Sequence, residues 1–291
     1  MFEIFAANPH IFTAQCLVLG LFVGSFLNVV IFRLPKILDR QWREECRLIL
    51  GAEAPQTEAI FNLAYPGSRC PHCHTPIPPW QNIPVLSFLL LRGKCAQCEA
   101  KISLRYPVVE MTTGIASCLV AWHLAVPEMV FAGLVFTWIL ICLALIDADH
   151  QLLPDQLTLP LLWCGLLVNT VGMFAPLYDA VIGAVVGYLS LWSVYWLFKL
   201  LTGKEGMGYG DFKLLATLGA WMGWQALPVI ILLSAVLGIF VGSMILLGKG
   251  KGRNTAIPFG PYLALVGWIN LLWGNQLIDA YLAFISYPFN L

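Results

Sequence analysis

Residues 143–160 read LALIDADHQLLPDQLTLP. An apolar run over residues 129–146 stops at Asp147, and another over 157–174 begins just after Asp155. Each run approaches the ~20 residues needed to cross about 30 Å of hydrocarbon, so the pair reads as a membrane hairpin with acids at its turn. The rest of the chain agrees. It has 291 residues, 59% hydrophobic and 11% charged, with a mean hydropathy of +0.79, whereas a soluble domain carries about 25% charged residues.

Further apolar runs occupy 10–32, 107–126, 178–198, 226–247 and 258–285. An eighth, 212–224, is too short to cross alone, since ~1.5 Å per residue gives it roughly 20 Å. The fold class expected is an all-α polytopic membrane protein of about eight transmembrane segments, with the lipid bilayer as its solvent. The first run lacks a basic leader and is followed by the basic residues themselves, so it is expected to stay as a helix rather than be cleaved as a signal.

The formal net charge is zero, so total charge points to no nucleic-acid partner. Its distribution is informative. Ten of the sixteen Lys and Arg lie between Arg33 and Arg105; Lys199, Lys204 and Lys213 form a second cluster, and Lys249, Lys251 and Arg253 a third. Positive residues collect on the cytoplasmic side. Keeping all three clusters there requires 212–224 to count as a crossing or to form part of a re-entrant hairpin, and puts both termini outside.

Three regions follow: a first transmembrane helix (1–32), a cytoplasmic domain (33–106) and a multi-helix membrane domain (107–291). The cytoplasmic stretch 35–51, PKILDRQWREECRLILG, reads as a surface helix. Neither an internal repeat nor a low-complexity tract stands out.

The cytoplasmic domain carries CPHC (Cys70, Cys73) and CAQC (Cys95, Cys98), separated by 21 residues. Two such knuckles offer four thiolates to one tetrahedral Zn²⁺. The alternatives are two disulfides or four unpaired thiols, and a cytoplasmic location, which keeps thiols reduced, favours the metal. A Cys₄ shell leaves no position for a catalytic water, and a small segment with little core needs a staple, so the expected role is structural. His72 and His74 stand nearby, but four thiolates already complete the shell.

Acids beside membrane segments are costly and are functional candidates by default. Four stand out: Asp147, Asp149, Asp155 and Asp211. Asp155 and Asp211 each precede a helical pattern and also read as caps. Asp211 closes the glycine-rich GYGD, where Gly208 and Gly210 permit unusual backbone and close approach of another chain. With Asp147 at the same membrane boundary, two carboxylates sharing one proton would supply an acid and a base. A proton-coupled transporter using the same pair is the competing reading. There is no HExxH and no GxSxG, a Ser25–His150 pair has no motif behind it, and no GxGxxG opens a nucleotide fold.

GSFLNVVIFRLP (24–35), the two knuckles, RYPVVE (105–110), LIDADHQLLPDQLTLPLLW (145–163) and GKEGMGYGDFKLLATLGAW (203–221) together resemble the bacterial type IV prepilin leader peptidases. The resemblance runs from residue 20 to about 267 in order. It implies an enzyme of the bacterial inner membrane that cuts the basic leader of type IV prepilins, and often of type II secretion pseudopilins, after a glycine. It also implies N-methylation of the new terminus from S-adenosylmethionine. The catalytic aspartates it implies fall on Asp147 and Asp211, with Asp149 and Asp155 supporting and Gly208 and Gly210 admitting the substrate backbone. Gly93 and Lys94 match the family pattern and are candidates for methyl-donor handling, beside the plainer reading of a knuckle turn. Gly20-x₃-Gly24 suits helix packing. Asn28, Arg33 and Glu110 carry either structural or substrate-facing readings.

Overall fold

The computed structural model describes residues 9–51, 60–124, 126–249 and 258–286, and contacts divide the chain into two compact units at His123/Leu124. Among the described residues there is no strand beyond isolated bridges, and eight helices have fourteen residues or more.

In the first unit, α1 (Pro9–Leu50) packs along α3 (Arg105–His123), with the short α2 (Leu86–Leu90) between them in sequence. α1 is one helix of 42 residues, so the charged stretch expected to lie as a separate surface helix instead continues the first apolar run. Pro35 sits inside it; a proline removes one backbone bond and crowds the preceding turn, yet here the helix runs on through it. Gly20 and Gly24 explain the packing. A Cβ on Gly20 would meet Ser117 Oγ at 2.5 Å, and one on Gly24 would meet Glu110 Cα at 2.8 Å. Small residues four apart thus bring the two backbones together, as the sequence suggested. Asn28 Nδ2 donates to the carbonyl of Tyr106 at 3.2 Å, fixing where α3 starts. Arg33 turns back onto the following loop, donating to the carbonyls of Asn62 (3.0 Å) and Pro66 (2.6 Å).

The second unit contains α4 (Pro127–His150), α5 (Asp155–Val168), α6 (Leu177–Thr202), α7 (Tyr209–Met222), α8 (Leu227–Lys249) and α9 (Gly260–Ser286). α7 is its centre, with ten of fourteen residues buried. It has two different faces. Toward α6, Gly183 and Gly219 lie backbone to backbone, and a Cβ on Gly187 would meet the carbonyl of Leu215 at 2.7 Å. Toward α5, polar rungs recur at helical spacing. Lys213 Nζ donates to both oxygens of Asp155 (2.7 and 2.8 Å), Thr217 Oγ1 to the carbonyl of Thr158 (3.3 Å) and Trp221 Nε1 to the carbonyl of Leu161 (2.8 Å). Polar side chains that find partners across helices are a cohesive force where apolar burial supplies none.

The far end of α7 is fastened by Asn169. Its Nδ2 donates to the carbonyls of Ala220 and Trp221 (2.9 and 3.0 Å), and its Oδ1 accepts from the N–H groups of Phe174 and Ala175 (2.9 and 3.0 Å). All of its bonding capacity is used at a fully buried position.

Among the described residues, four helices are long and apolar enough to cross a membrane: Pro9–Leu50, Pro127–His150, Leu177–Thr202 and Trp224–Met244. α5 and α7, at fourteen residues each, reach only about 21 Å. Of the third basic cluster, Lys249 ends α8, while Lys251 and Arg253 lie outside the described residues.

Candidate active site and thiolate cluster

Asp147 lies in the last turn of α4. Gln151, in the left-handed conformation (φ 53°), closes that helix by donating its N–H to the carbonyl of Asp147. The chain reverses there, carrying Leu153 back into the bundle. Asp147 is only 5% exposed, and its Oδ2 accepts the backbone N–H of Gly260, the first residue of α9, at 3.0 Å. A helix N-terminus offers unpaired N–H groups and a positive dipole end, both of which suit a carboxylate.

Asp211 lies in the first turn of α7 and is 8% exposed. It does not cap the helix: the cap position is Gly208, which makes no side-chain cap bond. Its carboxyl stands within the electrostatic reach of Asp147. Leu153 lies between the two sites. A Cβ on Gly210 would meet Leu153 Cβ at 2.8 Å, and one on Gly260 would meet Asp147 Oδ2 at 2.6 Å and Leu153 Cδ1 at 3.3 Å.

The two glycines of GYGD therefore differ. Gly210 allows α7 to close on Leu153. Gly208 has φ −83°, open to any residue, and a Cβ there would meet nothing within 4 Å. The expectation that both supply special backbone conformations is corrected: one supplies close packing, the other an open flank.

Asp155 is not a cap either. Pro154 holds the cap position and Asp155 pairs with Lys213 across to α7. Asp149 is exposed beyond the buried pair.

Three features escaped the sequence reading. Gly260 acts through its backbone, and its only signal was a glycine flanked by prolines in PFGP (258–261) at the start of an apolar run. A clasp also holds the approach to GYGD. Lys199 Nζ reaches Glu205 Oε1 (2.8 Å) and Tyr195 Oη (3.2 Å), while Tyr209 and Phe212 pack against the Tyr195 ring, tilted and edge-on. Lys199 holds the Glu205 carboxyl below its ordinary range.

The third is a repeat inside the cysteine domain. Residues 70–77 and 95–102 share C-x-x-C-x-x-x-I. They fold alike, with the first Cys N–H donating to the carbonyl five residues on (Thr75, Ala100) and left-handed His74 and Glu99 at matching places. The four Sγ atoms lie within 4.8 Å of one another, Cys70 to Cys98 at 3.8 Å and Cys73 to Cys95 at 4.0 Å. A tetrahedron with Zn–S bonds of ~2.3 Å has edges of about 3.8 Å; a disulfide needs about 2.05 Å. The arrangement fits one tetrahedral metal ion. Thr75, through its hydroxyl and then its N–H, draws the Cys73 thiol down to about 6, and the N–H groups of Cys98 and Gln97 lower Cys95, both toward the ligating thiolate form.

Gly93 takes φ 68° against the Phe88 ring, and Lys94 stands 3.9 Å from Glu99; both belong to the second knuckle's turn. Glu110 Oε2 accepts the N–H of Val85 at 2.7 Å, joining α3 to the chain just before α2.

Fold and site define a class: a helical membrane protein with two buried carboxylates, one in the last turn of α4 and one in the first turn of α7, and a metal-ready thiolate cluster. Residues 18–124 match the bacterial peptidase A24 N-terminal domain, and residues 134–243 match the type IV leader peptidase family. The prepilin leader peptidase/N-methyltransferase of Stutzerimonas stutzeri is 57% identical over 97% of this chain and 98% of its own. That of Pseudomonas aeruginosa is 55% identical over 99% of both, and that of Legionella pneumophila 47% over 92% of this chain and 94% of its own. The chain belongs to the type IV leader peptidase family. No solved structure matches it. Family membership sets aside the transporter reading of the aspartate pair.

Proposed function

We propose that the protein cleaves the leader of prepilins with Asp147 and Asp211 as its catalytic pair, and N-methylates the residue exposed by the cut. The observation that carries the assignment is that two buried carboxyls 64 positions apart in sequence (211 − 147) are brought to the same leucine: Gly210, beside Asp211, packs on Leu153, and Gly260 lies against both Leu153 and Asp147.

The geometry suggests a division of labour. Asp147, already accepting an N–H at a helix N-terminus, is suited to carry the negative charge. Asp211, facing that charge and buried, is suited to hold the shared proton. Asp147 then takes a proton from a water molecule as its oxygen attacks the scissile carbonyl carbon. Asp211 gives its proton to the carbonyl oxygen. Collapse of the tetrahedral diol breaks the C–N bond, the amine leaving with a proton from Asp147 and the new carboxyl returning one to Asp211. The substrate backbone would pass the open flank at Gly208.

Ten basic residues between Arg33 and Arg105 support a cytoplasmic position for the cysteine domain and the aspartates, in the bacterial inner membrane. The eight long helices are consistent with eight segments, α5 and α7 crossing only part of the bilayer. Cys70, Cys73, Cys95 and Cys98 would hold Zn²⁺, whose contribution is to fold the domain. S-adenosylmethionine would be the methyl donor. Gly93 and Lys94 are the residues to substitute first for that activity, on the strength of their match to the family pattern; their tight turn by itself cradles no adenosyl group. Pseudopilins are the further substrate class to try.

The test compares Asp147→Asn and Asp211→Asn with wild type on a full-length prepilin by mass spectrometry. Both should lose cleavage by about 10²–10⁴-fold. Both should still methylate a pre-cleaved pilin supplied with S-adenosylmethionine. Wild-type cutting by either variant overturns the pair.

A further inference from the structure

Between Arg69 and Arg92 the chain carries no Asp, Glu, Lys or Arg. This stretch lies outside all the apolar runs long enough to cross a membrane, yet it folds with its apolar side outward. In the turn Pro79–Asn82 and in α2, Trp80 is 69% exposed, Leu86 50%, Leu89 64% and Leu90 74%. The polar residue of α2 points inward instead. Ser87 is buried and donates to the carbonyl of Trp80 at 3.0 Å, locking the turn and the helix into one rigid strip.

The strip is fixed to a helix that packs along the first span. Val85, at the start of α2 with a positive φ (59°), donates its N–H to Glu110 Oε2 at 2.7 Å. Glu110 is in the second turn of α3, which lies along α1. The exposed leucines are therefore held where the chain enters the membrane helices, and cannot swing away without losing a buried carboxylate bond. The bordering segment 69–105 carries five basic residues (Arg69, Arg92, Lys94, Lys101, Arg105) against one acid, Glu99.

We propose that Trp80 and α2 form an interfacial foot of the cysteine domain, seated in the headgroup–acyl boundary of the bilayer with anionic headgroups against the basic border. An exposed Trp and leucine strip beside Lys and Arg is the pattern that binds a membrane surface in its plane. A contiguous exposed apolar patch calls for a covering partner. Charge argues for lipid over the substrate: the basic leader expected of a prepilin is repelled by this border, whereas an anionic headgroup is drawn to it.

The experiment places the photoreactive residue p-benzoylphenylalanine at Leu89, at Leu90 or at Trp80 in the full-length, metal-loaded protein. The control position is Gln97, exposed on the second knuckle. Each variant is irradiated in nanodiscs containing phosphatidylglycerol, with and without prepilin, and the adducts are weighed. Lipid adducts at 89 and 90 at least about fivefold above those at 97, unchanged by prepilin, are the result expected for an interfacial strip. Lipid adducts no higher than at Gln97, or adducts formed with prepilin in place of lipid, overturn it. The label at Trp80 decides the matter independently should the helix positions disturb metal binding.

Discussion

The N–H of Gly260 donates to Oδ2 of Asp147 at 3.0 Å, across 113 residues of chain. α9 thereby begins at the candidate active site, and a residue with no side chain becomes part of it. Gly260→Ala keeps the N–H but puts a Cβ where Asp147 Oδ2 and Leu153 now stand. A displacement of about 1 Å at a reacting group costs on the order of 10²-fold in rate. That loss is expected in prepilin cleavage followed by mass spectrometry, with methylation of a pre-cleaved pilin unchanged.

Asp155→Asn should behave quite differently from the same change at Asp147 or Asp211. Asp155 and Lys213 are 49% and 30% exposed in their side chains, and such pairs contribute about 0–1 kcal/mol. Cleavage within about threefold of wild type is expected, and a complete loss would move Asp155 into the catalytic machinery.

The two glycines of GYGD separate packing from substrate access. Gly210→Ala forces a Cβ onto Leu153 and should lower stability by about 1–3 kcal/mol, read as a lower melting temperature in detergent. At Gly208 an added Cβ meets nothing within 4 Å, so for Gly208→Val melting should hold while kcat/KM for prepilin falls. Equal melting temperatures for the two variants would contradict the division.

Acid should strip the metal from the thiolate cluster, because protons compete for its ligands. The Cys73 thiol is depressed to about 6 with Thr75 as the first cause, so the thiolate form is favoured above that pH and lost as pH falls through it. Thr75→Val removes the hydroxyl donor and raises the thiol's pKa. The release midpoint, followed with a chromogenic chelator, should move to higher pH by something on the order of one unit. An unchanged midpoint would remove Thr75 from the account.

Asn169→Leu leaves two carbonyls at the end of α7 and two N–H groups before α6 without their partner. At about 1–3 kcal/mol per orphaned buried group, partly offset by rearrangement, a loss of about 3 kcal/mol or more is expected in thermal unfolding. The fraction that survives insertion should still cut prepilin.

Much of the architecture could be read directly from the residues, because apolar length and cysteine spacing are side-chain properties. The long helices fall on the apolar runs, and Cys70, Cys73, Cys95 and Cys98 converge as their spacing implied. What escaped was carried by backbone or by context. The stretch 35–51 looked like a surface helix of its own, but the N–H missing at Pro35 did not end α1. Asp155 and Asp211 looked like caps, but Pro154 and Gly208 took those positions, which freed one carboxylate for Lys213 and left the other facing Asp147. The knuckle repeat rests on three matched residue positions in eight, too few to stand out from composition, yet its backbone bonds repeat in register.

The uninterrupted α1 has a mechanical meaning. Its 42 residues span roughly 63 Å at ~1.5 Å per residue, about twice the thickness of the hydrocarbon. Half of it is mast and half is boom. A helix tilts to match the bilayer that holds it, and a 10° change of tilt carries a boom of about 30 Å sideways by about 5 Å at its tip. Because Arg33 grips the carbonyls of Asn62 and Pro66, the loop moves with the boom. Any tilt of α1 is thus felt most at residues 45–50, the end farthest along its length.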